Sequence, residues 1–220
     1  MTAGRLPSAL RVLVLTDPSL AAPRSVVEVV AAALSAGVRG VQLRNKGDSA
    51  RELLEVGREL RTLTRQSGAL LFVNDRLDVA LALEADGVHL GPDDLPVAAV
   101  RRATPPAFLI GRSADDPAVA QRAVADGADY IGCGTVYPTT TKPDAGDVIG
   151  LGGLRSVVRA VDVPVVAIGG ITAERAADVA SAGAAGVAVV GALMAAKDPG
   201  ASARALLGAI PPRTGRPAGS

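Results

Sequence analysis

Three short stretches of this chain carry side chains in patterns that could do chemistry. In the first, Gln42, Arg44 and Lys46 alternate with Leu43 and Asn45, so in an extended strand the amide, guanidinium and ammonium share one face. Converging there, they would grip a polar anion, because a guanidinium fork and an ammonium both complement phosphate or carboxylate oxygens. In the second, Asp75 and Asp94 each follow a short apolar run. If those runs are neighbouring strands, roughly 5 Å apart in the hydrogen-bonding direction, the two carboxylates repel unless a cation lies between them. Mg2+ meets that need, since it takes one or two carboxylates and leaves its other positions to water and substrate phosphate. The plainer alternative for each aspartate is to cap the helix that follows. In the third, Thr139, Thr140 and Thr141 precede Lys142: three hydroxyls able to donate to phosphate without adding charge, then one ammonium.

These residues need a frame that brings them together, and the chain supplies a regular one. Short runs rich in β-branched residues lie at 10–16, 40–44, 69–75, 86–91, 108–113, 128–134, 164–170 and 186–192. Between them stand Ala/Leu/Val/Arg segments with helical spacing. Ser25, Ser49 and Thr172 stand at or near N-cap positions, while Gly37, Gly68, Gly127 and Gly183 close helices. Eight β-α units at nearly constant pitch predict an α/β fold, a parallel eight-stranded (βα)8 TIM barrel, over an open doubly wound sheet. Residues 1–210 are expected to form one barrel domain, and the Pro/Gly/Arg-rich stretch 211–220 a disordered tail.

A barrel builds its site where strands end and βα loops begin. The chemistry-bearing residues fall there. Strand two ends in Gln42 to Lys46, strand three in Asn74-Asp75, strand four reaches Asp94, strand five ends at Ser113, and the loop after strand six holds Thr139 to Lys142. The chain has three lysines and two asparagines, and Lys46, Lys142, Asn45 and Asn74 all sit on this rim. Opposite them, Gly169-Gly170 ends strand seven, and Val190-Gly191 ends strand eight. These loops offer backbone N–H at helix starts, the common phosphate site of barrels. Two anion sites in one mouth imply two phosphorylated substrates, or one with phosphates at both ends.

Composition narrows the classes. A formal net charge of +1, with 49% hydrophobic residues and neither basic runs nor interleaved aromatics, argues against nucleic acid. Glycines interrupt the longest apolar runs, which fall short of the roughly 20 residues a membrane helix needs, and the N-terminus lacks a clear cleavage site, so a cytoplasmic location is expected. One cysteine, Cys133, excludes an internal disulfide or a multi-cysteine metal cluster and reads as buried packing. The single histidine, His89, lies within strand four and reads as a packed, hydrogen-bonded side chain rather than a ligand.

The segments QLRNK, the Asn-Asp after strand three, HLGPDDLP, GADYIGCGTVYPTTTKPD and PVVAIGGIT, in this order from about residue 11 to about 199, resemble the thiamine phosphate synthase family. The YPTxTK loop is the most specific piece. The resemblance implies a transferase of thiamine biosynthesis that joins a hydroxymethylpyrimidine diphosphate to a hydroxyethylthiazole phosphate and releases diphosphate with Mg2+. It implies that Gln42, Arg44, Lys46, Asn74, Ser113 and Lys142 bind the pyrimidine diphosphate, with Arg44, Lys46, Ser113 and Lys142 acting in catalysis. It gives Asp75 and Asp94 to Mg2+, and Thr139, Thr140, Thr141, Gly170, Val190 and Gly191 to the thiazole phosphate. A homodimer is a further expectation. Three positions depart from the family pattern: Pro92 where Gln is common, Arg112 beside Ser113, and Gly191 where Ser is frequent. The alternatives are a thiazole tautomerase, which resembles this family but uses a histidine just after the strand-five serine, and a catalytically silent phosphate-binding barrel. Here that serine is followed by Ala114-Asp115-Asp116.

Overall fold

A computed structural model describes residues 5–45, 47–139 and 146–212. Eight parallel strands close on themselves in sequence order: β1 (Val12–Leu15), β2 (Gly40–Leu43), β3 (Leu70–Asn74), β4 (Gly87–Leu90), β5 (Leu109–Ser113), β6 (Tyr130–Cys133), β7 (Val165–Ile168) and β8 (Gly186–Val189). The predicted (βα)8 barrel is therefore the observed fold.

Helices wrap the outside: α3 (Val26–Ser35), α4 (Ala50–Gln66), α5 (Leu77–Ala82), α6 (Val97–Ala103), α7 (Pro117–Ala125), α8 (Gly150–Ala160), α9 (Ala173–Ser181) and α11 (Pro199–Ala209). Their starts follow local chemistry. Ser25 and Ser49 each accept from the backbone three residues on, while Glu28 and Glu52 reach back, so both are complete capping boxes. Thr172 occupies the predicted cap position of α9 but makes no side-chain cap bond.

Two cores follow from the pleat. Val12, Val14, Val41, Leu43, Leu71 and Val73 point outward and pack under the helices. Leu13, Leu15, Leu70, Phe72, Leu109, Tyr130 and Val166 point inward and fill the barrel. Across neighbouring strands the inward positions run large-small-large: Leu13 pairs with Gly40 and Gly40 with Leu70, Phe72 with Gly87 and Gly87 with Leu109. A ring of eight large residues would not fit inside eight strands.

Three elements differ from the sequence reading. Leu10 and Arg11, predicted as strand, belong to α1 (Leu6–Arg11), and β1 begins at Val12. Pro7 in the first turn suits a helix start, and Leu6, Ala9 and Leu10 are buried at helical spacing against the inner core. Helix α1 thus closes the end of the barrel opposite the predicted site. The others are single turns, α2 (Pro18–Ala21) and α10 (Gly191–Met194), too short to give a periodic signal. The predicted tail, from residue 213 onward, lies outside the described residues, as do Lys46, Thr140, Thr141 and Lys142.

Candidate active site

The C-terminal ends of the strands surround an open cavity of about 1090 Å3. Gln42, Arg44, Asn74, Asp75, Asp94, Ser113, Thr139, Gly170, Val190 and Gly191 all line it. Every expected site residue within the described residues thus faces one space.

Each wall is held by identifiable bonds. On the β2 side, Thr16 stands just past β1 and is 1% exposed. Its hydroxyl accepts from Arg44 N at 2.9 Å and donates to Arg44 O at 3.0 Å, while its own N–H donates to Gln42 O at 3.0 Å. The backbone beneath Arg44 is therefore pinned from two sides. Asn45 donates to Asp48, which places that carboxylate on the loop.

The carboxylate pair is built on an unusual backbone. Asp75 has φ +62°, a left-handed conformation that non-glycine residues adopt rarely and Asp more readily than most. Its N–H donates to His89 O at 2.8 Å, so the strained residue is anchored to β4. Gly91 lies between the two acids: a Cβ there would stand 3.1 Å from Asp94 Oδ2 and 3.9 Å from Asp75 Oδ1. A side chain at Gly91 would crowd the Asp94 carboxylate and just touch that of Asp75. Asp94 accepts from Gly91 N at 2.5 Å, and neither α5 nor α6 begins with a side-chain cap bond. Among the described residues no cluster of three or more His, Cys, Asp or Glu forms a metal cage. Two carboxylates open to a cavity instead match a hard cation that completes its shell with water or ligand oxygens.

Across the mouth, the β6 and β7 loops lock together. Tyr137 N donates to Gly169 O at 3.1 Å, and Gly170, at φ +61°, would drive a Cβ to 2.5 Å from Pro138 O. Arg175 ties both loops, donating to Gly170 O at 2.7 Å with its guanidinium 4.8 Å from the Tyr137 ring centroid. The root of the threonine loop is thus fixed to the glycine turn. Beside it, α10 begins at Gly191; Leu193 N and Met194 N already donate to Val190 O, while Gly191 and Ala192, ahead of those bonds, stand at the cavity.

The floor holds two residues that the sequence reading did not place in the site. His89 Nδ1 lies 3.1 Å from Tyr130 Oη, and His89 Nε2 lies 3.0 Å from Ser113 Oγ. His89 is the packed, hydrogen-bonded histidine that was expected. Burial, helped by Arg112 and opposed by Asp94, lowers its pKa to about 4, so the ring is neutral near pH 7. Room for both rings comes from glycine: a Cβ on Gly111 would meet Tyr130 Cζ at 2.2 Å and His89 Nδ1 at 2.5 Å, and one on Gly132 would meet His89 Cε1 at 2.8 Å. The available signal was the alternation of Tyr130, Gly132 and Gly134 on one face of β6. Cys133 faces the other way, fully buried, with its thiol pushed up to about 12 mainly by burial. It is a packing residue. Arg112 reaches the carbonyls of Leu90 and Pro92 at 3.5 and 3.4 Å, so two of the unusual positions adjoin each other at the cavity edge.

This arrangement has known relatives. The family model described as thiamine monophosphate synthase matches residues 12–193. The chain belongs to the thiamine monophosphate synthase family. Family members include the thiamine-phosphate synthase of Chloroflexus aurantiacus, 52% identical over 89% of this chain and 90% of that protein. That of Roseiflexus castenholzii is 50% identical over 89% and 86%. Among solved structures, the thiamine phosphate pyrophosphorylase of Pyrococcus furiosus superposes with a TM-score of 0.85 at 43% identity, covering 93% of this chain and 97% of that one. The family match spans all eight strands, and so every wall of the cavity. Among the described residues no helix is long and apolar enough to cross a membrane.

Proposed function

We propose that the chain condenses 4-amino-2-methyl-5-hydroxymethylpyrimidine diphosphate with 4-methyl-5-(2-hydroxyethyl)thiazole phosphate, giving thiamine phosphate and diphosphate. One observation carries this reading within the family: the cavity has two unlike walls. Arg44, Asp75, Asp94 and Ser113 line one, and the loops at Gly170, Val190 and Gly191 line the other. A charged wall suits a diphosphate that departs, and a backbone cradle suits a monoester that is held and never cleaved.

In the reaction the methylene C–O bond breaks, and its electron pair leaves with the diphosphate. The thiazole nitrogen then gives its lone pair to the methylene carbon. No proton has to be moved, so a site without a free base is adequate. Gln42, Asn74 and Ser113 orient the pyrimidine diphosphate, and Arg44 neutralises the charge gathering on the leaving group; Lys46 and Lys142 are assigned the same task from the sequence. Asp75 and Asp94 would hold Mg2+, which supplies further neutralisation of that charge when bound. Thr139, Thr140 and Thr141 belong with Gly170, Val190 and Gly191 on the thiazole phosphate.

The test is direct. Purified protein is mixed with both substrates and Mg2+, and thiamine phosphate is read by fluorescence after oxidation, alongside released diphosphate. Equal amounts of both products are expected, abolished by EDTA and restored by excess Mg2+. Product formation that persists undiminished in EDTA would remove Asp75 and Asp94 from the metal role, and no product at all would sink the assignment.

A further inference from the structure

Three polar side chains from three strands, Tyr130, His89 and Ser113, form a continuous hydrogen-bonded chain under the cavity. Gln42, on β2, is 2% exposed and contacts Tyr130, on β6. Tyr130 Oη meets His89 Nδ1 at 3.1 Å, and His89 Nε2 meets Ser113 Oγ at 3.0 Å. Ser113 lines the cavity. Tyr130 is fully buried, and its hydroxyl reaches two polar groups, one on either side.

Such a chain can run in only two directions, because a neutral imidazole carries its proton on one nitrogen and accepts on the other. If Nδ1 holds the proton, Nε2 accepts from Ser113, and the serine hydroxyl is consumed below the site. If Nε2 holds it, the ring donates to Ser113 Oγ, and the hydroxyl proton is left to point into the cavity. The donor inventory selects between them once an anion is present. A diphosphate oxygen has no proton to give, so Ser113 can serve it only as donor. That requires Nε2–H, which requires Tyr130 Oη–H to donate to Nδ1.

We propose that Tyr130 and His89 form a one-way hydrogen-bond chain that fixes the His89 ring as the Nε2–H tautomer and so aims the Ser113 hydroxyl at the leaving diphosphate. Tyr130 and His89 are positioning residues acting through Ser113; this rests on the assignment of Ser113 to the diphosphate. The chain of bonds also gives Gly111 and Gly132 their role, since a methyl group at either would displace the rings.

Two measurements decide it. His89 is the single histidine of the chain, so its ring 15N resonances in untagged protein saturated with inorganic diphosphate and Mg2+ identify the tautomer without ambiguity. A protonated Nε2 with an unprotonated Nδ1 is expected, and the reverse would overturn the proposal whatever the enzyme's activity. The second is a double-mutant cycle on Tyr130→Phe and Ser113→Ala, read as turnover and as the Kd of diphosphate with Mg2+. Tyr130→Phe deletes one oxygen and keeps the ring's packing. It is expected to weaken both readouts about 10-fold, as loss of one buried hydrogen bond to a polar group does, and to cost little further in the Ser113→Ala background. Additive losses would show that Tyr130 acts on the fold and not through the serine, and would overturn the proposal.

Discussion

Asp75→Ala is expected to lower kcat/KM by about 100- to 1000-fold, the cost typical of removing one group that stabilises charge in a transition state. The reason lies in how little else can do its work. Asp75 and Asp94 face each other across Gly91, and a hard cation held by two carboxylates keeps little affinity for one. Asp75→Asn should fall nearly as far, since it keeps the shape but not the charge. Its left-handed backbone is tolerated by Asn as well as by Asp, so that variant separates metal binding from backbone strain. The double variant Asp75→Asn/Asp94→Asn should be little worse than either single one, because the two acids act as a unit. Steady-state kinetics across a Mg2+ titration checks this. Near-normal turnover in either single variant at low Mg2+ contradicts it.

Arg44→Ala is the second large effect, about 100-fold in kcat. Arg44 stands on a strand end that Thr16 grips at both its N–H and its C=O, so little ordering is left to be done when an anion arrives. Arg44→Lys keeps the charge but not the planar fork, and should recover only part of the loss. The comparison reads geometry apart from charge. The KM for the thiazole phosphate should not move in either variant, because that substrate is assigned to the opposite wall. If it rises as much as the KM for the pyrimidine diphosphate, the division of the cavity into two walls is wrong.

Much of this molecule is legible in its sequence, and the reasons are local. Eight β-branched runs with glycine-closed helices between them leave few alternatives to a barrel. Alternation then places Gln42 and Arg44 on the inner face of β2, where the structure has them. Helix α1 was missed because a six-residue helix gives less than two turns of pattern and runs straight into a strand. Its burial depends on the open end of the barrel, which no local signal describes. Tyr130 and His89 were harder for a different reason. Their partnership joins β4, β5 and β6, and it exists only because Gly111 and Gly132 clear the space between them. A contact of that kind follows from strand register, and the register is a property of the closed sheet.

The glycines that depart from no rule are informative in the same way. Gly91 and Gly170 each sit where a side chain would strike a neighbouring group of the site. One leaves room for the Asp94 carboxylate; the other lets the threonine loop's root lie against the β7 turn.

The most direct test of the two-walled site is a crystal structure of the protein grown with thiamine phosphate, diphosphate and Mg2+. The metal is expected between Asp75 and Asp94, with the diphosphate reaching Arg44 and Ser113 and the thiazole-side phosphate against Gly170, Val190 and Gly191. Diphosphate and metal bound at the glycine turns, with the phosphomonoester beside Arg44, would contradict it.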